Sequence, residues 1–77
     1  MDESFLLKKV AVILSEDEKN LKFETNLSSI KNWDSMTILE LIVFFESEFN
    51  LEIKGEDLSV CTTISDIHKL TKAKNNE

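Results

Sequence analysis

Residues 34–49 read Asp34-Ser35-Met36-Thr37-Ile38-Leu39-Glu40-Leu41-Ile42-Val43-Phe44-Phe45-Glu46-Ser47-Glu48-Phe49, and the fold follows from their spacing. Ile38, Leu41, Ile42, Phe45 and Phe49 recur three and four residues apart, which sets them on one stripe of a helix facing a core. Asp34 and Ser35 are both good N-cap residues, so the helix is expected to start at one of them and to run to about Phe49. The opposite stripe is Met36, Glu40, Val43 and Ser47, flanked by Leu39 and Phe44. A helix facing only water would not carry Met and Val there. Either it is buried on more than one side, or the mixed acidic and apolar strip is read by partner proteins.

Outward from this helix, punctuation is scarce: the chain holds one Gly, Gly55, and no Pro. Uninterrupted apolar periodicity then reads as helix. The first helix is expected from Asp2 to about Ser15, with Phe5, Leu6, Val10, Ile13 and Leu14 at helical spacing. Residues 16–33 form a long polar connection in which Leu21, Phe23, Leu27 and Ile30 act as anchors, so an ordered loop pinned to the core is expected. Gly55 introduces a short helical turn near Glu56–Ser59. The last helix begins at Thr63, where Thr63-Ile64-Ser65-Asp66 resembles a capping box, and Ile64, Ile67 and Leu70 carry its inner stripe. The tail, about 73–77, is expected to fray. No alternating run suggests a sheet. The expectation is one all-α domain over residues 1–77, a small four-helix bundle of three main helices and one short one.

Composition narrows the function. Fifteen acidic residues against nine basic ones leave a net charge of −6, which disfavours nucleic acid and anionic membranes as partners. The imbalance is local: residues 34–57 hold Asp34, Glu40, Glu46, Glu48, Glu52, Glu56 and Asp57 against Lys54 alone. Such a one-signed field steers partners of opposite sign, although a solvated helix face is the commoner cause of an acidic run. The longest clean apolar run, Val10–Leu14, is far too short to span a membrane. The start Met1-Asp2-Glu3-Ser4 lacks the basic opening of a signal peptide, so a soluble, cytoplasmic monomer is expected.

Catalytic machinery is thin. Cys61, the single Cys, has no disulfide partner, and with the single His, His68, it makes no metal-ligand spacing. Cys61 reads as a small core residue, and His68, beside Lys69, as surface or partly buried. Trp33 reads as a plug of the loop onto the core. No catalytic residue and no metal ligand is expected.

Ser35 remains. The unpaired N–H groups at a helix start favour an anion, so Ser35 either caps the helix or carries a phosphate ester. Residues 25–53, TNLSSIKNWDSMTILELIVFFESEFNLEI, resemble the acyl carrier protein family, whose signature Asp-Ser-Leu is represented here by Asp34-Ser35-Met36. Leu39-Glu40-Leu41 and Glu46-Ser47-Glu48-Phe49 are similar to that family's helix body, and Thr62–Ile67 to the opening of its last helix.

The resemblance implies that a phosphopantetheinyl transferase places 4′-phosphopantetheine covalently on Ser35, with Asp34 assisting recognition. The thiol of the arm would then hold acyl groups as thioesters. Met36, Glu40, Val43 and Glu46 become the residues facing partners, which would be an acyl-loading enzyme, synthase or acyltransferase with a basic docking patch. Thr37, Ser47 and Lys54-Gly55 depart from the pattern of fatty-acid-synthesis carriers. They weaken the acidic face and speak against a housekeeping fatty-acid role. The Thr25-x-Leu27 anchor and Trp33 are similar to carriers of polyketide and other specialised pathways, so polyketide, lipid or other specialised biosynthesis is expected. The alternatives are an amino-acyl or peptidyl carrier, and an acidic helical adaptor that is never modified.

Overall fold

The computed structural model describes residues 2–75. In chain order the helices are α1 (Glu3–Leu14), α2 (Ser35–Phe49), α3 (Gly55–Ser59) and α4 (Ile64–Asn75), with short 3₁₀ turns at Glu18–Asn20 and Leu27–Ser29. Among the described residues the nearest approach to a sheet is an isolated antiparallel bridge between Asn26 and Thr63. The all-α expectation and the helix borders agree with this architecture. Helix α4 continues through Asn75, so residues 73–75 of the expected frayed tail are helical, and 76–77 lie outside the described residues.

Both α1 and α2 end on a residue in the left-handed region, Ser15 at φ 56° and Asn50 at φ 54°. Their own N–H groups, with Glu16 N–H to Ala11 O (2.9 Å) and Leu51 N–H to Phe45 O (3.2 Å), close each last turn onto its free carbonyls. These two stops let a chain without Pro turn sharply after each long helix.

The core is built from Leu6, Val10 and Leu14 of α1, Leu41 and Phe45 of α2, Leu58 of α3, and Ile64 and Ile67 of α4, all fully enclosed. Leu21, Leu27 and Ile30 enter it from the long connection, which is therefore ordered as expected; Phe23 and Trp33 pack on it half-buried. The connection is fastened to the start of α4, with Leu27 N–H on Thr62 O (2.8 Å) and Ser65 N–H on Phe23 O (2.9 Å). The expected capping box at Thr63 is present. Asp66 accepts from Thr63 N–H at 3.1 Å, and Thr63 Oγ1 accepts from Asp66 N–H at 3.2 Å.

Two placements differ from the sequence expectation. The buried seam of α2 is Thr37, Leu41 and Phe45, while Ile38, Ile42 and Phe49 flank it half-buried, so the helix is turned toward Thr37. His68 is buried at 6 % exposure rather than lying near the surface, because Phe23 folds over it with ring centroids 5.3 Å apart. Cys61 is half-buried against the core, its Sγ 3.5 Å from Asp57 O.

Candidate functional site at the start of helix α2

Ser35 is the first residue of α2, exposed, and its hydroxyl makes no hydrogen bond with the described residues. A capping serine would spend that oxygen on the helix. Here Asp34 takes the capping role instead: its Oδ1 accepts from Thr37 N–H at 3.0 Å, and Thr37 Oγ1 accepts from Asp34 N–H at 3.1 Å. The Thr37 hydroxyl proton is then directed to Asn32 O, 2.7 Å away. Thr37 is thereby buried at 8 % exposure, which corrects its placement on the acidic face. It holds the turn beneath Ser35.

The loop leading into the turn is held from the other side. Asn32 Nδ2 donates to Leu14 O at 2.8 Å and so covers one of the free carbonyls at the end of α1. Trp33 N–H donates to Ile30 O at 3.2 Å, carrying the chain from the buried Ile30 to the exposed Asp34. Sequence reasoning missed Asn32 and Thr37. The Asp-x-x-Thr spacing was a signal for Thr37, whereas the partner of Asn32 lies 18 residues away and leaves no local trace.

Beyond the capping Asp34, whose carboxylate is engaged by Thr37 N–H, the first turn of α2 carries no acidic side chain. The free N–H groups and the positive end of the helix dipole favour a phosphodiester on the Ser35 oxygen. The residues present therefore fit a phosphate-linked group: an accessible hydroxyl, a fixed turn and a favourable local field.

Of the expected partner-facing residues, Met36 is 73 % and Val43 56 % exposed, with Glu40 and Glu46 also exposed. Met36, Glu40 and Val43 stand at i, i+4 and i+7 on one face, and the exposed Leu39 joins them. Phe44 does not belong to this strip, because it turns into a ring cluster with Phe5 (6.2 Å), Phe45 (5.3 Å) and Phe49 (5.8 Å) that joins α1 to α2.

Cys61 stands apart from this site. Burial first, and then the negative charges of Asp66 and Asp57, push its thiol above the ordinary value. It stays protonated at neutral pH and is a poor nucleophile.

An exposed, fixed serine thus stands at a helix start with an acidic and apolar strip beyond it. Comparison with known proteins shows the family. The model of the phosphopantetheine attachment site family matches residues 4–70. The chain is 35% identical over 69 residues to an acyl carrier protein of Buchnera aphidicola subsp. Baizongia pistaciae, covering 84% of this chain and 88% of the relative. It is 34% identical over 71 residues to an acyl carrier protein of Thermosynechococcus vestitus, covering 87% and 88%. An acyl carrier protein of Thermotoga maritima is 33% identical over 66 residues, covering 80% and 82%. The chain belongs to the acyl carrier protein family, and its cofactor is 4′-phosphopantetheine.

Proposed function

We propose that Ser35 is the attachment residue and that the chain is a discrete acyl carrier without catalytic activity of its own. The observation that carries this reading is the exposed Ser35 hydroxyl, left unbonded because Asp34 and Thr37 cap the helix between them. A phosphopantetheinyl transferase joins Ser35 Oγ to the β-phosphorus of coenzyme A, and 3′,5′-ADP leaves as the proton passes to the transferase. The arm, once bound, supplies a terminal thiol that carries acyl groups as thioesters. Asp34 keeps the turn in shape and meets the transferase beside the reacting oxygen.

Met36, Glu40, Val43 and Glu46 form the surface offered to acyl-loading and acyl-transferring enzymes, with the acids drawing in a basic patch and Met36 and Val43 burying apolar area. The pathway proposed is polyketide, lipid or other specialised biosynthesis in the cytoplasm. Ser47 and Lys54-Gly55 support it by lightening the acidic face; Thr37 no longer does, because it is buried. Among the described residues no helix is long and apolar enough to cross a membrane.

The test is transfer of a fluorescent coenzyme A conjugate by a broad-specificity transferase, followed by peptide mapping. Label on the peptide containing Ser35 is expected. Label elsewhere, or none with several transferases, overturns the reading in favour of an unmodified adaptor.

A further inference from the structure

Trp33 stands two residues before Ser35, with only the extended Asp34 (φ −148°, ψ −177°) between them. Their Cα atoms are therefore no more than about 7 Å apart. The backbone that carries Trp33 is held on both sides: Asn32 O accepts from Thr37 Oγ1 at 2.7 Å, Trp33 N–H donates to Ile30 O at 3.2 Å, and Asp34 N–H donates to Thr37 Oγ1 at 3.1 Å. The indole itself packs half-buried on the core. It is fixed in place before anything is attached beside it.

The rest of the indole is unused. Among the described residues no other ring and no cation stacks on it. Its Nε1–H makes no hydrogen bond with them either, and since none of their buried side-chain polar atoms is left unpaired, this donor reaches solvent. A tryptophan packed fully inside usually finds a partner for that N–H. Here an apolar ring and an unspent donor are offered together, next to the proposed tether.

We infer that the Trp33 indole is a resting surface for the pantoyl segment of the 4′-phosphopantetheine arm, an inference that rests on Ser35 being the tether. Chemistry is the first reason. The pantoyl segment carries two geminal methyls, which suit an apolar ring, beside hydroxyl and amide oxygens, which suit an N–H donor. It carries no charge, and neither does the indole. Reach is the second. This segment follows the phosphate directly, so it lies within the span of two residues, whereas the acyl cargo sits at the far end of the arm. Tethering is the third. A linked segment meets the ring at an effective concentration on the order of millimolar, so a contact as small as one indole is enough. A free protein partner would need roughly 20–30 residues per side for a stable interface. Trp33 thereby acts on the root of the arm as a positioning residue and restricts the directions in which the thiol leaves the site.

The experiment compares the full chain before and after transfer of phosphopantetheine, isotope-labelled in its pantoyl methyls, from coenzyme A, with the adduct at Ser35 confirmed by intact mass and peptide mapping. Trp33 is the single Trp of the chain, so intrinsic emission reports on it alone. Quenching by acrylamide is expected to fall about twofold on attachment, as the arm covers about half of the accessible ring. Nuclear Overhauser contacts are expected between the geminal methyls and the indole ring protons, with the methyl resonances upfield of those in free coenzyme A. In Trp33→Leu the adduct should still form and the upfield displacement should be lost. The wild-type contacts stand as an independent reading if that variant folds poorly.

No adduct at Ser35 overturns both the tether and the resting surface. An adduct that leaves quenching unchanged or shows no contact between methyls and indole overturns the resting surface alone. So does an upfield displacement that persists in Trp33→Leu, or contacts that arise only while the transferase is present.

Discussion

Asp34 and Thr37 hydrogen-bond to each other's backbone N–H, at 3.0 and 3.1 Å, across the residue that the chain offers to solvent. This reciprocal pair satisfies the helix start without using Ser35, and so leaves that hydroxyl available for the attachment proposed above. Thr37→Val keeps the volume but removes both hydroxyl interactions, leaving Asp34 N–H and Asn32 O without their partner. It is expected to cost about 1–2 kcal/mol in thermal unfolding. It should also speed amide hydrogen exchange at residues 34–37, while Thr37→Ser restores most of the loss.

Ser15 and Asn50 both occupy the left-handed region, but only Asn is at ease there. Ser15→Gly is expected to raise stability by about 0.5–1 kcal/mol, the relief of strain exceeding the extra chain entropy. Urea titration should show a higher midpoint with an unchanged slope, and Asn50→Gly should shift it less.

The backbone N–H of Thr62 and then that of Thr63 hold the Asp66 carboxyl below its ordinary value. The unfolded chain therefore binds this proton more readily than the folded one. The stabilisation is fully present above the ordinary carboxylate value of about 3.9 and is lost as pH falls through the lower folded value. Asp66→Asn should lower the melting temperature at neutral pH by a constant amount, and the gap to wild type should close in melts below about pH 4.

Helix borders and the core-facing residues Leu41, Phe45, Ile64 and Ile67 were legible because helical spacing and the caps at Asp34 and Thr63 are local signals. The long connection was legible as ordered because its apolar anchors recur. Tertiary placement was not. Burial of His68 depends on Phe23, far off in sequence, and its neighbour Lys69 points the reading outward. Leu51 and Ile53 are buried in a segment without helical period, so periodicity passed over them. At the site, the position of Ser35 was readable from the start of the helix. Its freedom was not, since that required knowing that Thr37 completes the cap.

Glu46 is exposed on α2. Glu46→Lys is expected to reduce the association rate with a cognate acyl-transferring enzyme by about tenfold at low salt, with less effect at high salt, since the change acts on steering. Stopped-flow measurements at two ionic strengths check this, with circular dichroism showing that the fold is kept.

The central claim is that one hydroxyl, Ser35 Oγ, becomes the tether. Intact-mass spectrometry after incubation with coenzyme A and a phosphopantetheinyl transferase tests it directly. The account predicts a gain of one phosphopantetheine in the wild type and none in Ser35→Ala. An unchanged wild-type mass, or the same gain in Ser35→Ala, would contradict it.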